Sequence, residues 1–508
     1  MNATEPKMRQ FFELGRLLTL YNVFIVVPIV YVVVWLTYTL LLTRQRKIPG
    51  PFLAKITGLW EVKKVFDGDI HKTMIKLHER YGPIVRIAPN RYDFNTLDAV
   101  KTIYRIGDQL PKSNYYTPFG SPHGKNLLNT LDNTQHGSMK KKFASLYSMS
   151  TLLSYEPAVD SQTFVLRKKL DEFAASGELV DIPTFFQYYA FDVIGMLTFG
   201  SSMNLMKTNA DAHGACAALD LAWRFASVMG LLPGLFSSLE TLVKVFRLPI
   251  TLDGLESVVT EHVNRHMDKA AQADGSKKDA TFLSKVLTLR NEGKVADKEV
   301  RVCMEMNISA GSDTTGISLS AIMYYLYTNP SVLERLRHEL DTRSKAGRLS
   351  DMATYQETQQ IPYLQAVIKE VLRLHSAVGT QLTRVVPKGG CVIEGHYFPE
   401  GAEVGVNSWA LHYNSDIFSD VHAFRPERWL EGDTANIRLP ESFAFGQGAR
   451  SCVGKNISIL EMSKVIPQVV QNFDIDFSTS TEAWSHECRW FVKPKYNARL
   501  RRRATPKE

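Results

Sequence analysis

Cys452 stands near the end of the run Phe445-Gly446-Gln447-Gly448-Ala449-Arg450-Ser451-Cys452-Val453-Gly454. The run that follows, Val453 to Phe473, reads as a helix, so the sulfur stands where the first unpaired amide groups of a helix point. Those donors favour thiolate over thiol, and a thiolate is a metal ligand. Gly446 and Gly448 permit backbone angles closed to other residues and a close approach to something flat or bulky. Arg450 adds a permanent cation two residues before the sulfur. Two plainer readings stay open here: a phosphate-binding glycine loop, although no strand-loop-helix unit surrounds it, and an inert buried cysteine beside a turn.

A second chemical set lies upstream. Asp297 is the expected N-cap of a helix running to about Thr328, roughly 48 Å long at 1.5 Å per residue. Between Met306 and Asn329 its one charge is Asp313, inside Ala310-Gly311-Ser312-Asp313-Thr314-Thr315. Small residues leave room beside the helix, the Thr314 hydroxyl can hydrogen-bond a group placed there, and the Asp313 carboxylate can relay protons. A Ser/Thr kink in a buried helix would use the same residues, and a second membrane span is the other alternative, opposed by the polar groups from 311 to 316. Glu370 and Arg373 share a face of the expected helix Tyr363 to His375. Alone the pair describes countless surface helices, where it contributes a few tenths of a kcal/mol.

In order along the chain, Ala310 to Thr315, Glu370-x-x-Arg373, Phe424-Arg425-Pro426-Glu427-Arg428-Trp429 and Phe445 to Gly454 resemble the motifs of the cytochrome P-450 superfamily. The resemblance implies that Cys452 is the axial thiolate of a haem b iron, and that Phe445 and Arg450 belong to the haem loop. It also implies that His136, Lys140 and Arg384 contact the haem, that Asp313 and Thr314 serve oxygen activation, and that Glu370, Arg373 and Arg428 form a buried triad. Lys140 stands where the family's usual pattern has arginine, so the charge is kept and the planar fork is lost. The implied fold is mainly α with a smaller β-lobe. The implied reaction is monooxygenation, hydroxylation or oxidative demethylation, of a lipophilic small molecule by O2. Electrons would come from NADPH through an NADPH-cytochrome reductase, with cytochrome b5 as a further donor. Lys140, Lys141 and Lys142 lie where the family presents a basic face to its reductase. The motif details are most similar to fungal microsomal members, which points to secondary metabolite biosynthesis. Two rivals remain: an O2-independent haem isomerase or dehydratase of the same fold, and a non-enzymatic haem-binding membrane protein. The Asp313-Thr314 pair counts against both.

These residues need elements to position them, and the remaining sequence supplies them. Tyr21 to Thr43 is an uncharged apolar run long enough to cross a hydrocarbon core of about 30 Å. Residues 1–20 would precede the anchor on the lumenal side, 44–51 would be a Pro-rich hinge, and 52–508 the catalytic body. Arg44, Arg46 and Lys47 favour a body facing the cytosol, and the resemblance to microsomal members implies the endoplasmic reticulum membrane. Asn2 would then be a lumenal sequon. Ile70 to Tyr81 has helical spacing, while Ile84 to Ala88 and Arg91 to Asn95 look like strands around Pro89-Asn90. Residues 112–131 form a long loop that the resemblance places over the substrate pocket. Gly230 to Phe236 reads as an apolar turn, and by resemblance it dips into the membrane. Asp253 to Ala271 reads as a helix and Ala273 to Asp279 as a polar loop. Ser376 to Gln381 should line the pocket, and Ile475 to Val492 should return as a hairpin touching substrate. The net charge of +8 carries no nucleic-acid recognition motif, and five scattered cysteines fit neither a disulfide framework nor a zinc site.

Overall fold

A computed structural model describes residues 22–504 apart from 122, 213, 247–258, 266–280, 431–442 and 479–483. Helix α1 (Asn22–Leu42) is apolar and stands out from the body, and its 21 residues rise about 31 Å, enough to span a bilayer. Its foot is fixed to the protein. Trp35 Nε1 donates to the Ile56 carbonyl (3.1 Å), and Arg86 Nη1 donates to the Thr39 carbonyl (3.2 Å). The Pro-rich stretch after it is held as well, since Arg86 N donates to the Pro49 carbonyl (2.7 Å) and Ile48 is buried. Packing as well as proline therefore restrains this stretch. The Asn2 sequon lies outside the described residues.

Short helices α2 (Phe52–Ile56) and α3 (Leu59–Asp67) lead to α4 (Ile70–Tyr81), whose bounds match the expected helix. Strands β1 (Ile84–Ala88) and β2 (Arg91–Phe94) follow, and their partners arrive three hundred residues later. Of β4 (Arg384–Val385), β5 (Cys391–Ile393), β6 (His396–Phe398) and β7 (Glu403–Val406), β7 runs parallel to β2 and β4 pairs with β7, giving the order β1-β2-β7-β4. This is the expected small β-lobe.

The helical mass includes α5 (Asn133–Phe143), α6 (Glu156–Ser176), α7 (Ile182–Phe199), α8 (Ala215–Gly230), α9 (Pro233–Phe246), α10 (Asp297–Tyr327), α11 (Pro362–Leu374) and α12 (Lys455–Asn472). α10 runs through the centre, buried along most of its length as its single mid-helix charge requires, with α7, α11 and α12 packed around it. Strand β3 (Val180–Asp181) joins β11 (Asn497–Arg502) and β8 (Phe473–Asp476), while β9 (Ser485–Cys488) and β10 (Val492–Lys495) make the terminal hairpin.

Several expected boundaries move for identifiable reasons. Ala296, not Asp297, holds the cap position of α10, because the Glu299 carboxylate accepts from the Ala296 N–H (2.9 Å) while Asp297 turns to Arg290 (2.6 Å). The apolar turn at 230–236 shrinks to a junction at Leu231 and Leu232, since Pro233 is favourable in a first helical turn. The helix begins at Lys455 after the Cys452 loop, with Gly454 as its cap. Residues 259–265 are helical, and the rest of the helix and polar loop expected between 253 and 279 lies outside the described residues.

Candidate active site

The loop before α12 is tied into a knot of short bonds. Gly446 N donates to the Phe443 carbonyl (2.9 Å), Cys452 N to the Phe445 carbonyl (2.9 Å) and Ser451 N to the Gly448 carbonyl (3.1 Å). Gly448 is required: its φ is +75°, and a Cβ there would sit 2.1 Å from the Tyr104 carbonyl oxygen. The close approach that the glycines allow is therefore, at Gly448, to the chain itself. Cys452 is enclosed by protein and still exposed, because the surface it shows is the wall of a cavity of about 600 Å³. Burial pushes the thiol up. The amides of Gly454 and Lys455 and the ammonium groups of Lys140 and Lys455 pull it back without reversing the direction. A helix start alone does not hold a thiolate here, and a cation bonded to sulfur would.

Cations crowd the same wall. Arg450 donates to the carbonyls of Thr130 (2.6 Å) and Leu131 (2.7 Å), while its Nε has no partner among the described residues. Arg384 lies over the Tyr104 ring (4.9 Å), and Lys140 Nζ donates to the Ala449 carbonyl (2.9 Å). Lys112 stands over the Tyr116 ring (4.4 Å). Burial, and then the charges of Arg384 and Arg450, hold the Lys112 ammonium well below its usual range. Burial and Arg384 bring Arg450 down to about 10. His136 is pulled down to about 3 by burial and then by Arg450, Lys112, Lys140 and Arg384, so it is neutral. Among the described residues the one carboxylate on the cavity wall is Glu299, at the rim and paired with Lys142 (2.7 Å). Buried cations without an anion between them fit a flat ligand that carries carboxylates, as haem does.

Of the three lysines in the 140–142 cluster, then, Lys140 points inward, Lys142 pairs across the rim, and Lys141 is exposed. The three lysines therefore do not share one exposed face.

α10 supplies the other wall through Ala310, Gly311 and Thr314. Thr314 Oγ1 donates to the Ala310 carbonyl (2.9 Å), which leaves its lone pairs as acceptors. Asp313 is not on the cavity wall. It is buried toward α7 and β10, where Oδ1 accepts from Gln187 Nε2 and pairs with Lys493 (3.2 Å), and Oδ2 has no protein partner among the described residues. The geometry depends on Gly316, where a Cβ would lie 2.8 Å from Gln187 Cα; its absence lets α7 close on α10 and brings Gln187 to the carboxylate. Lys493 also reaches Asp220 (3.2 Å), and the two carboxylates hold its ammonium above the usual range against the opposing effect of burial. Lys112, Gln187 and Lys493 went unread in the sequence, because nothing local marks a lysine on a terminal hairpin as the partner of a residue 180 positions away.

Behind the cavity, Glu370 is fully enclosed. Its Oε1 accepts from Arg373 Nη2 (2.8 Å), Arg428 Nε (3.0 Å) and Arg425 N (3.2 Å), and its Oε2 from Arg373 Nε (3.0 Å) and Trp429 Nε1 (2.9 Å). Arg373 and Arg428 spend their remaining donors on the carbonyls of His412, Val421, Ala423, Ser419 and Asp420. Ala377 and Val378 line the cavity as expected. Thr380 and Gln381 do not, since Gln381 Nε2 turns to the Tyr92 carbonyl and Asp93 Oδ1. From the terminal hairpin, Trp490 and Phe491 do reach the wall.

The family model described as Cytochrome P450 matches residues 49–502. The chain is 51% identical over 483 residues to a pisatin demethylase of Fusarium vanettenii, with 94% of each chain covered. It is 34% identical to the cytochrome P450 monooxygenase cicH of Emericella nidulans, over 91% of this chain and 94% of that one. A third relative is the cytochrome P450 monooxygenase gsfF of Penicillium aethiopicum, 33% identical over the same shares. A match spanning the whole body, together with relatives aligned nearly end to end, means that this chain belongs to the cytochrome P450 family of haem-thiolate monooxygenases.

Proposed function

We propose that Cys452 is the thiolate ligand of the haem iron, and that Arg384, Arg450 and Lys140, with neutral His136 beside them, receive the haem carboxylates. The observation that carries this reading is the wall itself: one cavity on which a lone cysteine and a set of buried cations without counter-anions meet Thr314 of α10. Thiolate-ligated haem supplies oxygen activation when bound. The chain's own residues do the rest. Phe445 packs beside the cysteine loop with Lys455 over its ring (5.8 Å). Thr314, whose proton is held by Ala310, presents an acceptor to the cavity and orders water there. Asp313, with one oxygen held and one unheld, exchanges protons between the Lys493 side and that water. Glu370, Arg373 and Arg428 keep the α11 face rigid beneath the site.

The cavity wall is largely apolar, with Met139, Phe143, Ile194, Val302, Val378 and Phe491 on it, which suits a lipophilic small molecule. Together with fungal relatives that include a demethylase, this supports hydroxylation or oxidative demethylation in fungal secondary metabolite biosynthesis. Residues 21–43 would anchor the protein in the endoplasmic reticulum membrane, with 1–20 lumenal, 44–51 the hinge and 52–508 facing the cytosol. Electrons would come from NADPH through its cytochrome reductase, with cytochrome b5 as a second donor.

The test is the full chain with reductase, NADPH and a panel of lipophilic aromatic ethers. Oxygen-dependent product formation that disappears in Cys452→Ala supports the assignment. Product formed without NADPH would favour the isomerase reading instead.

A further inference from the structure

The last charge on α10 before Asp313 is Glu305, and it stands one residue off the cavity wall, beside Met306. Its exposure is 7%, and its partners come from the long loop 112–131. Ser121 Oγ donates to Oε2, and His123 Nε2 approaches Oε1 to 3.2 Å. The two loop residues reach one carboxylate because they belong to a closed turn. Ser121 N donates to the Gly124 carbonyl (3.3 Å), Gly124 N to the Ser121 carbonyl (3.1 Å), and His123 N to Ser121 Oγ (3.0 Å). The turn lies against α10, where a Cβ on Gly124 would stand 3.8 Å from Val302 Cγ2, about one helical turn before Glu305. Neighbouring parts of the loop are held from elsewhere. Lys112 Nζ donates to the Leu128 carbonyl (2.6 Å), Asn126 Nδ2 to the Phe119 carbonyl (3.0 Å), and Arg450 to the carbonyls of Thr130 and Leu131. Those bonds leave the distance between the turn and α10 to Glu305. Displacing the turn would leave a buried carboxylate short of donors, which is costly, so the contact fixes the turn in place. The turn is also part of the wall. His123, Gly124 and Lys125 line the cavity at the Val302 end of α10, about 18 Å from Thr314 at 1.5 Å per residue.

We propose that Glu305 is a positioning residue for the substrate. By holding the turn 121–124 against α10 it sets where the wall made by His123 and Gly124 stands. That distance decides how long a molecule can lie along α10 with its reacting end beside Thr314. The inference rests on the lipophilic substrate class proposed above, and the two can fail separately.

The test is equilibrium binding of N-alkylimidazoles, from methyl to dodecyl, to the haem-loaded full chain in phospholipid nanodiscs, read from the haem absorption band with free ligand measured. In the parent, each methylene added against the apolar wall should tighten binding about fourfold until the chain meets the turn, where the gain stops. Glu305→Ala should leave the Kd of the shorter members within about twofold and move that break outward by about two carbons, tightening the first members beyond the parent's break about tenfold. Glu305→Gln, which can still accept from Ser121, should move the break less. Trypsin should cut after exposed Lys125 faster in Glu305→Ala than in the parent. Ser121→Ala removes the same bond from the loop side, and it decides the matter if Glu305→Ala does not take up haem. A break at the parent's length in Glu305→Ala and Ser121→Ala, or an equal loss of affinity for every member of the series, would overturn the inference. A parent whose affinity does not rise with chain length would instead count against the lipophilic substrate class, and unchanged cleavage after Lys125 would then overturn the role of Glu305.

Discussion

Glu370 and Asp313 are both buried carboxylates on long helices, and they are treated in opposite ways. Glu370 takes five donors on its two oxygens, from two arginine side chains, an indole and a backbone amide. Asp313 has its Oδ1 held by Gln187 and Lys493 and its Oδ2 held by nothing among the described protein groups. A buried charge with every lone pair satisfied is a rigid strut, because any movement breaks several charge-assisted bonds at once. One with a free oxygen can turn about its side chain at the expense of fewer bonds. Identical chemistry thus yields a fully held strut in one place and, in the other, a partly held carboxylate that suits the proton-carrying role proposed for it.

The largest expected effect lies on the strut. Glu370→Ala strands Arg373 and Arg428 in the interior and should destabilise the fold by about 3–5 kcal/mol. The expected result is expression without haem, measured as the ratio of haem absorbance to protein. A stable, haem-loaded variant would erase the distinction between the two carboxylates. The second effect lies on the carrier. Asp313→Asn keeps the shape and loses the exchangeable charge, so haem content should be retained while product formation falls by about 10²-fold. The solvent deuterium isotope effect should rise as proton delivery becomes limiting. Thr314→Ala should retain haem and redirect oxygen to hydrogen peroxide, measured as peroxide formed per NADPH consumed. Product yield per NADPH equal to that of the parent would remove Thr314 from the relay.

The smallest effect sharpens how Asp313 is held. The β9–β10 hairpin that carries Lys493 also carries His486, whose Nδ1 meets His71 Nε2 (2.7 Å) beside His375. Burial first, and then neighbouring positive charge, pull His486 down to about 3; burial brings His375 to about 4 and lowers His71 well below its usual range. All three are neutral in the folded protein and take up protons on unfolding below about pH 6.5, the unfolded value. The unfolded state therefore binds more protons between about pH 6.5 and 4, and stability falls as pH falls through that window. His486→Gln should flatten the slope of unfolding free energy against pH by up to about 1.4 kcal/mol per pH unit, one proton's worth. An unchanged slope would show that the imidazole is already protonated in the fold.

Much of this architecture could be read locally. The α4 limits, the β1–β2 pair and the order of the motifs follow from spacing, because periodicity and turn residues are short-range signals. The strut was readable too, since Glu370 and Arg373 lie three residues apart and Arg428 falls in a recognisable segment. The carrier's partners were not, because Gln187 and Lys493 come from distant segments joined only by the crossing of α7 on α10 and the return of the terminal hairpin. The Lys140-Lys141-Lys142 run shows the same limit: neighbours in sequence on a helix point in different directions, and only packing decides which meets Ala449, which meets Glu299 and which meets water.

By itself the sequence determined the class of chemistry, through Cys452 after its glycine loop, Asp313-Thr314 on a buried helix and an apolar span before the body. Residue type sets what a side chain can do, and local spacing sets the element it sits on. The tertiary structure decided that Asp313 faces away from the cavity, that Lys112, Lys140, Arg384 and Arg450 share one wall of it, and that Trp490 and Phe491 of the terminal hairpin reach that same cavity. Each of those facts is a distance between segments far apart in the chain, set by how helices and sheets close on one another, and no local pattern of residues encodes it.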